Sequence, residues 1–340
     1  MTYSNEEIFI LSVGALGLGM YLLFKGGNWT IDSAVYIAKN FGISPLVIGF
    51  TIVAFGTSLP ELIVSVNANL AGSSGIAIGN VIGSNIANIL LVVGATAFFA
   101  TLHAVPRDIL RDVIVMLLSM VLMMALMMHG NISQLWGTMM IVALGAYVLW
   151  QYSMASKGVI AVEEVEAPAY KSMGQGILFL LLGLAGIALG AEFLVRGAKV
   201  SATIIGVPED VIGLSVIAIG TSLPELSTCI AAAMKRQSDI IIGNILGSNV
   251  FNVLMIIGAT AMIKPIAQDD IAPQVLTLDI WVMLGVSVLF SLLLLFFKKI
   301  NKAIGIVFVS AYVFYIALIY ALYLNKDMQD MAVGALEINN

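Results

Sequence analysis

A six-residue stretch that carries a carboxylate occurs twice in this chain. The sequence GTSLPE spans residues 56–61 and returns at residues 220–225, each time inside an apolar run long enough to cross a bilayer. A carboxylate at the bilayer centre costs about 2.5 to 3.5 kcal/mol on insertion scales, and such residues usually face a helix bundle and mark an ion path. Because no Lys or Arg falls in the core of an apolar run, Glu61 and Glu225 predict a buried cation site.

The proline of each copy predicts a break in a helix. Pro60 and Pro224 have no N–H, and the ring of each clashes with the carbonyl four residues earlier, so the helix opens there. Non-helical backbone survives at membrane depth only where protein or a hydrated cavity covers it. We therefore expect the carbonyls of Ala54 and Ala218 to be free to bind a cation.

Oxygen-bearing side chains accompany both breaks. They are Thr57, Ser58, Glu61, Ser84, Asn85 and Asn88 in the first half, and Thr221, Ser222, Glu225, Ser248, Asn249 and Asn252 in the second. Hard oxygen ligands with two negative charges suit Ca²⁺, and suit Na⁺ in neighbouring subsites, whereas soft metals prefer sulfur or imidazole. For Asn85 and Asn249, a hydrogen bond between helices is an equally good interpretation.

The composition is that of a membrane protein. Of the 340 residues, 60% are hydrophobic and only 10% are charged, with a mean hydropathy of +1.04, which excludes an ordinary soluble domain. A helix needs about 20 apolar residues to span a bilayer, and ten such runs can be counted. The predicted spans are at about 8–25, 45–70, 76–100, 107–128, 133–152, 174–196, 208–234, 239–263, 273–298 and 302–324. No basic patch indicates a nucleic-acid partner, and the lone Cys229 is interpreted as core packing.

An offset of 164 residues, which takes residue 56 to residue 220, aligns the two halves without a gap. About half of the positions from 42 to 97 are identical to their counterparts, which indicates duplication. Because each half holds an odd number of spans, the second half enters the membrane from the opposite side. We therefore predict an all-α polytopic membrane protein made of two inverted five-helix repeats with broken helices at the midplane, a design common in secondary transporters. The predicted parts are a first repeat at 1–152, a cytoplasmic linker at 153–172, a second repeat at 173–325 and a short tail at 326–340.

Basic residues predict the orientation. Eleven of the 15 Lys and Arg fall on one side of the predicted spans and four on the other, so the positive-inside rule puts both termini outside the cytoplasm of a cell membrane. The acidic start of the chain lacks the basic region of a signal peptide, so the first span is expected to remain in the mature protein.

Small residues mark the first and sixth spans. Gly14, Gly17 and Gly19 lie in the first and Gly183, Gly186 and Gly190 in the sixth. Such residues allow close helix packing, and they also suit a helix that slides; the sequence leaves both readings open. The less apolar stretch at 30–40 either lies at the interface or continues the first span.

The repeated motifs resemble the alpha-repeats of the calcium/cation antiporter superfamily, and most closely those of prokaryotic sodium/calcium exchangers. The resemblance rests on the two GTSLPE stretches, on GNVIGSNIAN at 79–88 and on GNILGSNVFN at 243–252, within motif regions at about 45–100 and 208–263. It implies a central calcium site made by Glu61 and Glu225 with the carbonyls of Thr57 and Thr221. Asn88 and Asn252 would close the middle of the site. The implied sodium subsites use Ala54, Thr57, Ser58 and Ser84 on one side and Ala218, Thr221, Ser222 and Ser248 on the other.

The resemblance also implies a mechanism. Members of the family commonly exchange three Na⁺ for one Ca²⁺, with spans 1 and 6 sliding across a fixed core. We therefore expect an electrogenic Na⁺/Ca²⁺ antiporter in which both ions compete for one site, with no cofactor and with no need for a second copy of the chain. Thr57 and Thr221, where proton/calcium exchangers typically carry Asn, favour sodium, and Asn252 in place of Asp argues against potassium dependence.

Other functions remain as alternatives. The nearest is a proton-coupled or other divalent-cation antiporter of the same fold, in which the two glutamates would carry protons. A channel would conduct without a counter-ion. An enzyme is not expected, because the sequence offers no nucleophile–base pair and no metal triad.

Overall fold

The protein is a bundle of long helices. The structure, a computed structural model, describes residues 5–156, 170–204, 220–267 and 271–338. The described helices are α1 (Asn5–Phe41), α2 (Pro45–Thr57), α3 (Leu59–Leu70), α4 (Ser74–Thr96), α5 (Pro106–His129), α6 (Gln134–Ser156), α7 (Met173–Ile204), α8 (Leu223–Met234), α9 (Ser238–Ile263), α10 (Val275–Phe297) and α11 (Lys302–Ile338). Two short strands, β1 (Leu102–His103) and β2 (Lys299–Ile300), complete the regular structure of these residues.

The described helices establish a polytopic membrane protein. Eight of them are long and apolar enough to cross a bilayer, and the bent pair α2 and α3 makes nine if it counts as one span. The seventh predicted span, 208–234, falls partly outside the described residues, which here resume at residue 220 with α8. The described part of the chain therefore contains helices at eight of the ten predicted spans, and at a ninth if the bent pair is one span.

The first helix is longer than its predicted span. The prediction ends the span at residue 25, whereas α1 continues to Phe41. No Gly or Pro interrupts residues 28–41, and Gly42 then ends the helix with a φ of +63°, a conformation that glycine adopts easily. The stretch at 30–40 is therefore a continuation of α1. At the other end of the chain, α11 also runs past its predicted limit, to Ile338.

The helices that carry the repeated motifs form the centre of the bundle. The most apolar window of α9 is completely buried and that of α4 is 72% buried, whereas the corresponding windows of α1 and α7 are 17% and 28% buried. Glycines allow α9 to pack directly on α2, because a Cβ on Gly49 would lie 2.6 Å from the carbonyl oxygen of Ile240. The motif helices are thus enclosed by protein, and α1 and α7 lie at the periphery.

Two small backbone pairings connect the halves of the chain. Leu102 in β1 pairs antiparallel with Ile300 in β2, and Ile132 forms an isolated antiparallel bridge with Ile266. In that bridge, the amide of each residue donates to the carbonyl of the other at 2.9 and 3.0 Å. Ile266 lies 164 residues after Leu102, and Ile300 lies 168 residues after Ile132. The two pairings are therefore near counterparts in the two halves. Each pairing ties a loop of one half to a loop of the other.

Helices α1 and α7 pack face to face through glycines. A Cβ on Gly19 would lie 2.7 Å from the carbonyl oxygen of Gly190, and a Cβ on Gly26 would lie 2.7 Å from that of Gly183. The two contacts are counterparts at the offset of 164 residues. By contrast, Gly14 meets no atom within 4 Å. Some of the small residues of the first span therefore serve close packing between these two helices.

Candidate cation-binding site

The break in each repeated stretch places a glutamate at the start of a helix. The axes of α2 and α3 differ by 44° at Ser58, which has φ and ψ of −85° and 1°. Ser222 adopts nearly the same conformation, −89° and 2°, before α8. Each proline is the second residue of its helix, where a missing N–H costs little. Glu61 and Glu225 consequently lie in the first turns of α3 and α8, where the helix dipole favours a negative charge.

Both glutamates are buried without a basic partner among the residues described. Each side chain is 1% exposed, and the ion pairs of the described residues involve neither of them. The hydroxyl of Ser58 donates to Oε1 of Glu225 at 3.5 Å, which connects the two copies of the motif. Oε2 of each glutamate has no hydrogen-bond partner. Two such carboxylates need compensating positive charge, because burying an unpaired charge is costly.

Four asparagines form a second symmetric set beside the glutamates. Nδ2 of Asn88 donates to Oδ1 of Asn249 at 3.3 Å, and Nδ2 of Asn252 donates to Oδ1 of Asn85 at 3.0 Å. The two bonds are counterparts at the offset of 164 residues. Oδ1 of Asn88 and Oδ1 of Asn252 are buried without partners. The site thus holds four unpartnered acceptor oxygens, two carboxylate and two amide, of the kind that a hard cation prefers.

Asn85 and Asn249 use their amide nitrogens for contacts between helices. Nδ2 of Asn85 lies 3.6 Å from the sulfur of Met283, and Nδ2 of Asn249 lies 3.7 Å from that of Met116. The Oδ1 atoms of Asn85 and Asn249 also accept hydrogen bonds, so these two residues match the hydrogen-bonding interpretation. The unpartnered amide oxygens are those of Asn88 and Asn252.

Wider helical turns begin at the same two asparagines. The helix is π-helical from Asn88 to Val93 in α4 and from Asn252 to Ile257 in α9. A π-helical segment displaces side chains from regular α-helical positions and is frequent at functional sites. A third such segment, Gly49–Val53, precedes Ala54 in α2. The backbone is therefore irregular at the same point in both halves, where the candidate ligands lie.

The other candidate ligands differ in whether their oxygens already have hydrogen-bond partners. The carbonyl of Ala54 accepts from the amide of Ser58 at 3.0 Å and from the hydroxyl of Thr57 at 3.3 Å, so it is occupied in this conformation. The reason is that the chain bends at Ser58 while keeping this last helical turn. Its counterpart Ala218 lies outside the described residues.

The hydroxyls follow the same unequal pattern. The hydroxyls of Ser84 and Ser222 are buried without hydrogen-bond partners. The hydroxyl of Ser248 donates to Oδ1 of Asn244 at 3.5 Å. Thr57 lies at the same distance from that oxygen. Thr221 sits in the turn before α8 and is partly exposed. In the described ranges, no group of three or more His, Cys, Asp or Glu side chains is arranged to hold a metal ion.

Comparison with known proteins identifies the family. The family model for the sodium/calcium exchanger protein matches residues 11–153 and 175–321. The chain belongs to this family. The predicted resemblance is therefore confirmed, and since the family is one of transporters, the chain is not an enzyme.

Several relatives extend the match over most of the sequence. The chain is 34% identical to a putative antiporter of Alkalimonas amylolytica, with 89% of this chain and 97% of the relative covered. It is 34% identical to an inner membrane protein of Escherichia coli, over 92% and 97% of the two chains. A sodium/calcium exchanger of Methanosarcina acetivorans is 31% identical over 89% and 97%.

A solved exchanger structure shares the fold. The sodium-calcium exchanger NCX_Mj, soaked with 10 mM Na⁺ and zero Ca²⁺, superposes with a TM-score of 0.79 at 32% identity. The alignment covers 91% of this chain and 99% of that one. The same exchanger soaked with 10 mM Na⁺ and 10 mM Sr²⁺ gives a TM-score of 0.78. The helical membrane architecture of this exchanger-family protein is therefore the one that NCX_Mj has.

Two asparagines that position the site were not among the predicted ligands. Nδ2 of Asn80 donates to the carbonyl of Glu61 at 3.3 Å and to the hydroxyl of Ser65 at 3.0 Å. Its counterpart Asn244 donates to the sulfur of Cys229 at 3.4 Å. The GN pairs of the repeat, at 79–80 and 243–244, were the available signal.

A pair of buried aspartates also escaped prediction in this exchanger-family protein. Asp112 in α5 accepts hydrogen bonds from the hydroxyl of Tyr147 and from Nε2 of Gln151. Asp279 in α10 accepts from the hydroxyl of Tyr315 at 3.0 Å. The signal was present as DVIVML at 112–117 and DIWVML at 279–284, but these stretches are 167 residues apart and the offset of 164 does not align them.

Proposed function

We propose that this protein exchanges Na⁺ for Ca²⁺ across the membrane by alternating access. One observation carries the proposal: Glu61 and Glu225, from the two halves of a sodium/calcium exchanger family chain, are buried in one hydrogen-bonded centre with no basic partner among the described residues. The relatives named as antiporters and exchangers support the same reaction.

The calcium site uses both glutamates. Two carboxylates balance the charge of one Ca²⁺, so the loaded site is close to neutral and tolerates burial. Their unpartnered Oε2 atoms and the unpartnered Oδ1 atoms of Asn88 and Asn252 support this assignment, with the carbonyls of Thr57 and Thr221 as further ligands. Ca²⁺ takes 6 to 8 oxygens at about 2.3 to 2.6 Å, and the residues named supply enough.

Sodium occupies subsites on either side of the centre. The ligands proposed are Ala54, Thr57, Ser58 and Ser84 on one side, and Ala218, Thr221, Ser222 and Ser248 on the other. The unpartnered hydroxyls of Ser84 and Ser222 support the two subsites. The carbonyl of Ala54 accepts hydrogen bonds from Ser58 and Thr57, and one of these must break before the carbonyl can bind Na⁺. This subsite therefore forms as the bend at Ser58 opens further.

Competition and charge movement follow from the shared carboxylates. Both ions need Glu61 and Glu225, so they cannot occupy the centre together. If three Na⁺ replace one Ca²⁺, as in related exchangers, the sodium-loaded site carries one more positive charge than the calcium-loaded site. Exchange would then be electrogenic. An empty site would leave two uncompensated carboxylates in an apolar bundle, which opposes the movement of an unloaded transporter.

We propose ten spans in two inverted repeats, 1–152 and 173–325, joined by a cytoplasmic linker at 153–172 in a cell membrane. The counterpart contacts of the asparagines, of the interhelical glycines and of the two backbone pairings support this arrangement. Two halves of five spans place both termini on the same side of the membrane, and the basic residues place that side outside the cytoplasm. Since one chain supplies both halves of the site, a monomer suffices.

Helices α1 and α7 are the elements proposed to move. They pack closely on each other through Gly19, Gly26, Gly183 and Gly190, and both are far less buried than α4 and α9. Two helices that pack closely on each other but are little buried by the rest of the protein can shift as a unit while the motif helices stay fixed. That movement would open the centre to one side of the membrane at a time.

The test is sodium-driven calcium uptake into proteoliposomes, followed with ⁴⁵Ca²⁺. Glu61→Gln and Glu225→Gln should each reduce uptake to the level of empty liposomes, because one remaining carboxylate cannot balance Ca²⁺. Glu192→Gln is the matched control, since Glu192 is an exposed glutamate in α7 that pairs with Arg196. Wild-type uptake in the Glu61→Gln variant would contradict the proposed site.

The same preparation separates the alternative function. Uptake driven by a pH gradient and indifferent to Na⁺ would replace the sodium proposal with a proton-coupled antiporter of the same fold. Thr57 and Thr221 favour sodium, so we expect the Na⁺ gradient to be required.

A further inference from the structure

A cavity lies at the ends of the spans on the side that carries most of the basic residues. It has a volume of about 480 Å³ and lies between the loop before α5 and the turn joining α8 to α9. The polar residues that line it are Thr101, His103, Arg236 and Ser238. The amide of His103 donates to the hydroxyl of Ser238 at 3.3 Å, which holds the two segments together.

The corresponding region of the other half is bridged by hydrogen bonds. There the side chain of Asn69 donates to the carbonyl of Lys264 at 2.7 Å and to that of Thr260 at 3.2 Å. Nζ of Lys264 donates to the carbonyl of Asn69 at 3.1 Å, and Ser74 donates to Oδ1 of Asn69 at 2.7 Å. This network bridges the loop between α9 and α10 to the turn between α3 and α4.

The offset of 164 residues shows how the cavity side differs from its counterpart. Asn69 corresponds to Ala233 and Lys264 corresponds to Ala100, and both alanines line the cavity. Two side chains that bridge the gap in one half are thus replaced by methyl groups in the other. Meanwhile the positions equivalent to Pro265 and Ala267 carry the polar Thr101 and His103.

Arg236 occupies a backbone conformation that L residues rarely adopt. Its φ is +57°, and its counterpart in the other half is Gly72, with a φ of +85°. Glycine is the residue that fits this conformation without strain. An arginine kept in place of glycine at the wall of a cavity indicates a role for its guanidinium, since strained residues persist where a site requires them.

The donors that line the cavity match a phosphate group. Guanidinium binds phosphate through a fork of N–H donors, and imidazole and hydroxyl groups add further donors. The neighbouring carboxylate, Asp239, does not line the cavity. Lys299 in β2 pairs with His103 in β1, which brings another cation to the same edge.

The apolar part of the lining indicates that the ligand is an amphiphile. Phe99 and Met234 line the cavity and are 58% and 57% exposed, at the ends of membrane spans. A ligand here therefore meets basic and hydroxyl donors together with exposed apolar side chains. Basic pockets between spans on the cytoplasmic side are known to bind anionic lipid headgroups. We propose that this cavity binds the phosphate headgroup of an anionic phospholipid.

The test compares lipid binding by native mass spectrometry and thermal unfolding in detergent. We expect phosphatidylglycerol to bind about ten-fold more tightly than phosphatidylcholine, because both carry a phosphate but the guanidinium repels the choline ammonium of phosphatidylcholine. Arg236→Gly should remove that preference. Arg236→Gly introduces the residue that the other half carries in this conformation, so the variant should fold. Lys39→Gln is the control, because it removes one charge from the same predicted side away from the cavity.

Each outcome decides the proposal. Equal binding of the two lipids overturns it, and so does an equal loss in Arg236→Gly and Lys39→Gln. If inorganic phosphate alone raises the unfolding temperature as much as phosphatidylglycerol does, the cavity is a free-anion site and the lipid assignment fails. Should Arg236→Gly not fold, His103→Gln provides the second variant, with the same loss of preference expected.

Discussion

Two aspartates in the outer helices each accept a hydrogen bond from a tyrosine hydroxyl. Asp112 is fully buried and Asp279 nearly so, and each accepts a bond from a tyrosine of the next helix in the chain. Met116 and Met283 lie one helical turn further along, where their sulfurs contact Asn249 and Asn85. The aspartate–tyrosine pairs therefore fix the helices against which the ion site packs.

Removal of either tyrosine hydroxyl should destabilise the protein. Tyr147→Phe and Tyr315→Phe each leave a buried carboxylate oxygen with one partner fewer, at a cost of about 1 to 3 kcal/mol. Thermal unfolding in detergent measures the effect, and Tyr152→Phe is the control because Tyr152 is 53% exposed. Unfolding temperatures equal to that of Tyr152→Phe would show that the pairs do not stabilise the fold.

Burial could be predicted from the sequence for residues that break a local rule. Glu61 and Glu225 stand out because a charge in an apolar run is costly, and the structure does bury both. The free carbonyl expected at Ala54 depended instead on how far the helix opens at Pro60, which propensity does not determine. Asp112 was missed because the loop after Ile266 is three residues longer than its counterpart, so the matching stretches fall out of register.

Among the helices, the contact between α1 and α7 leaves no room for side chains. The carbonyl oxygen of Gly183 lies 2.7 Å from the position of a Cβ on Gly26, and that of Gly190 lies 2.7 Å from the position of a Cβ on Gly19. The sequence left packing and sliding open for these glycines, and the geometry shows close packing between the two helices. Whether the pair also slides across the core belongs to the proposed mechanism.

A larger residue in this contact should separate the two helices. Gly26→Leu should lower stability by about 1 to 3 kcal/mol, the usual cost of overpacking, and should reduce transport with it. Gly14→Leu is the matched control, since no atom lies within 4 Å of the position of its Cβ. Thermal unfolding of the two variants compares them directly. An unchanged Gly26→Leu protein would contradict the contact.

Across the whole molecule, the proposed orientation in the membrane has a measurable consequence. In a Cys229→Ala background, Gln134→Cys should react with a membrane-impermeant maleimide in intact cells, whereas Lys171→Cys should react only in inside-out vesicles. Both positions are exposed. Reaction of the two cysteines from the same side would rule out the proposed arrangement, and a reversed pattern would invert the orientation.

The pairings of Leu102 with Ile300 and of Ile132 with Ile266 impose an order on biosynthesis. The first half of the chain is synthesised and inserted well before Ile266 and Ile300 exist. Its loops therefore wait in the membrane without their backbone partners, and non-local contacts of this kind are slow to form. Each half completes the other, so these loops gain their backbone partners only after residue 300 has been synthesised.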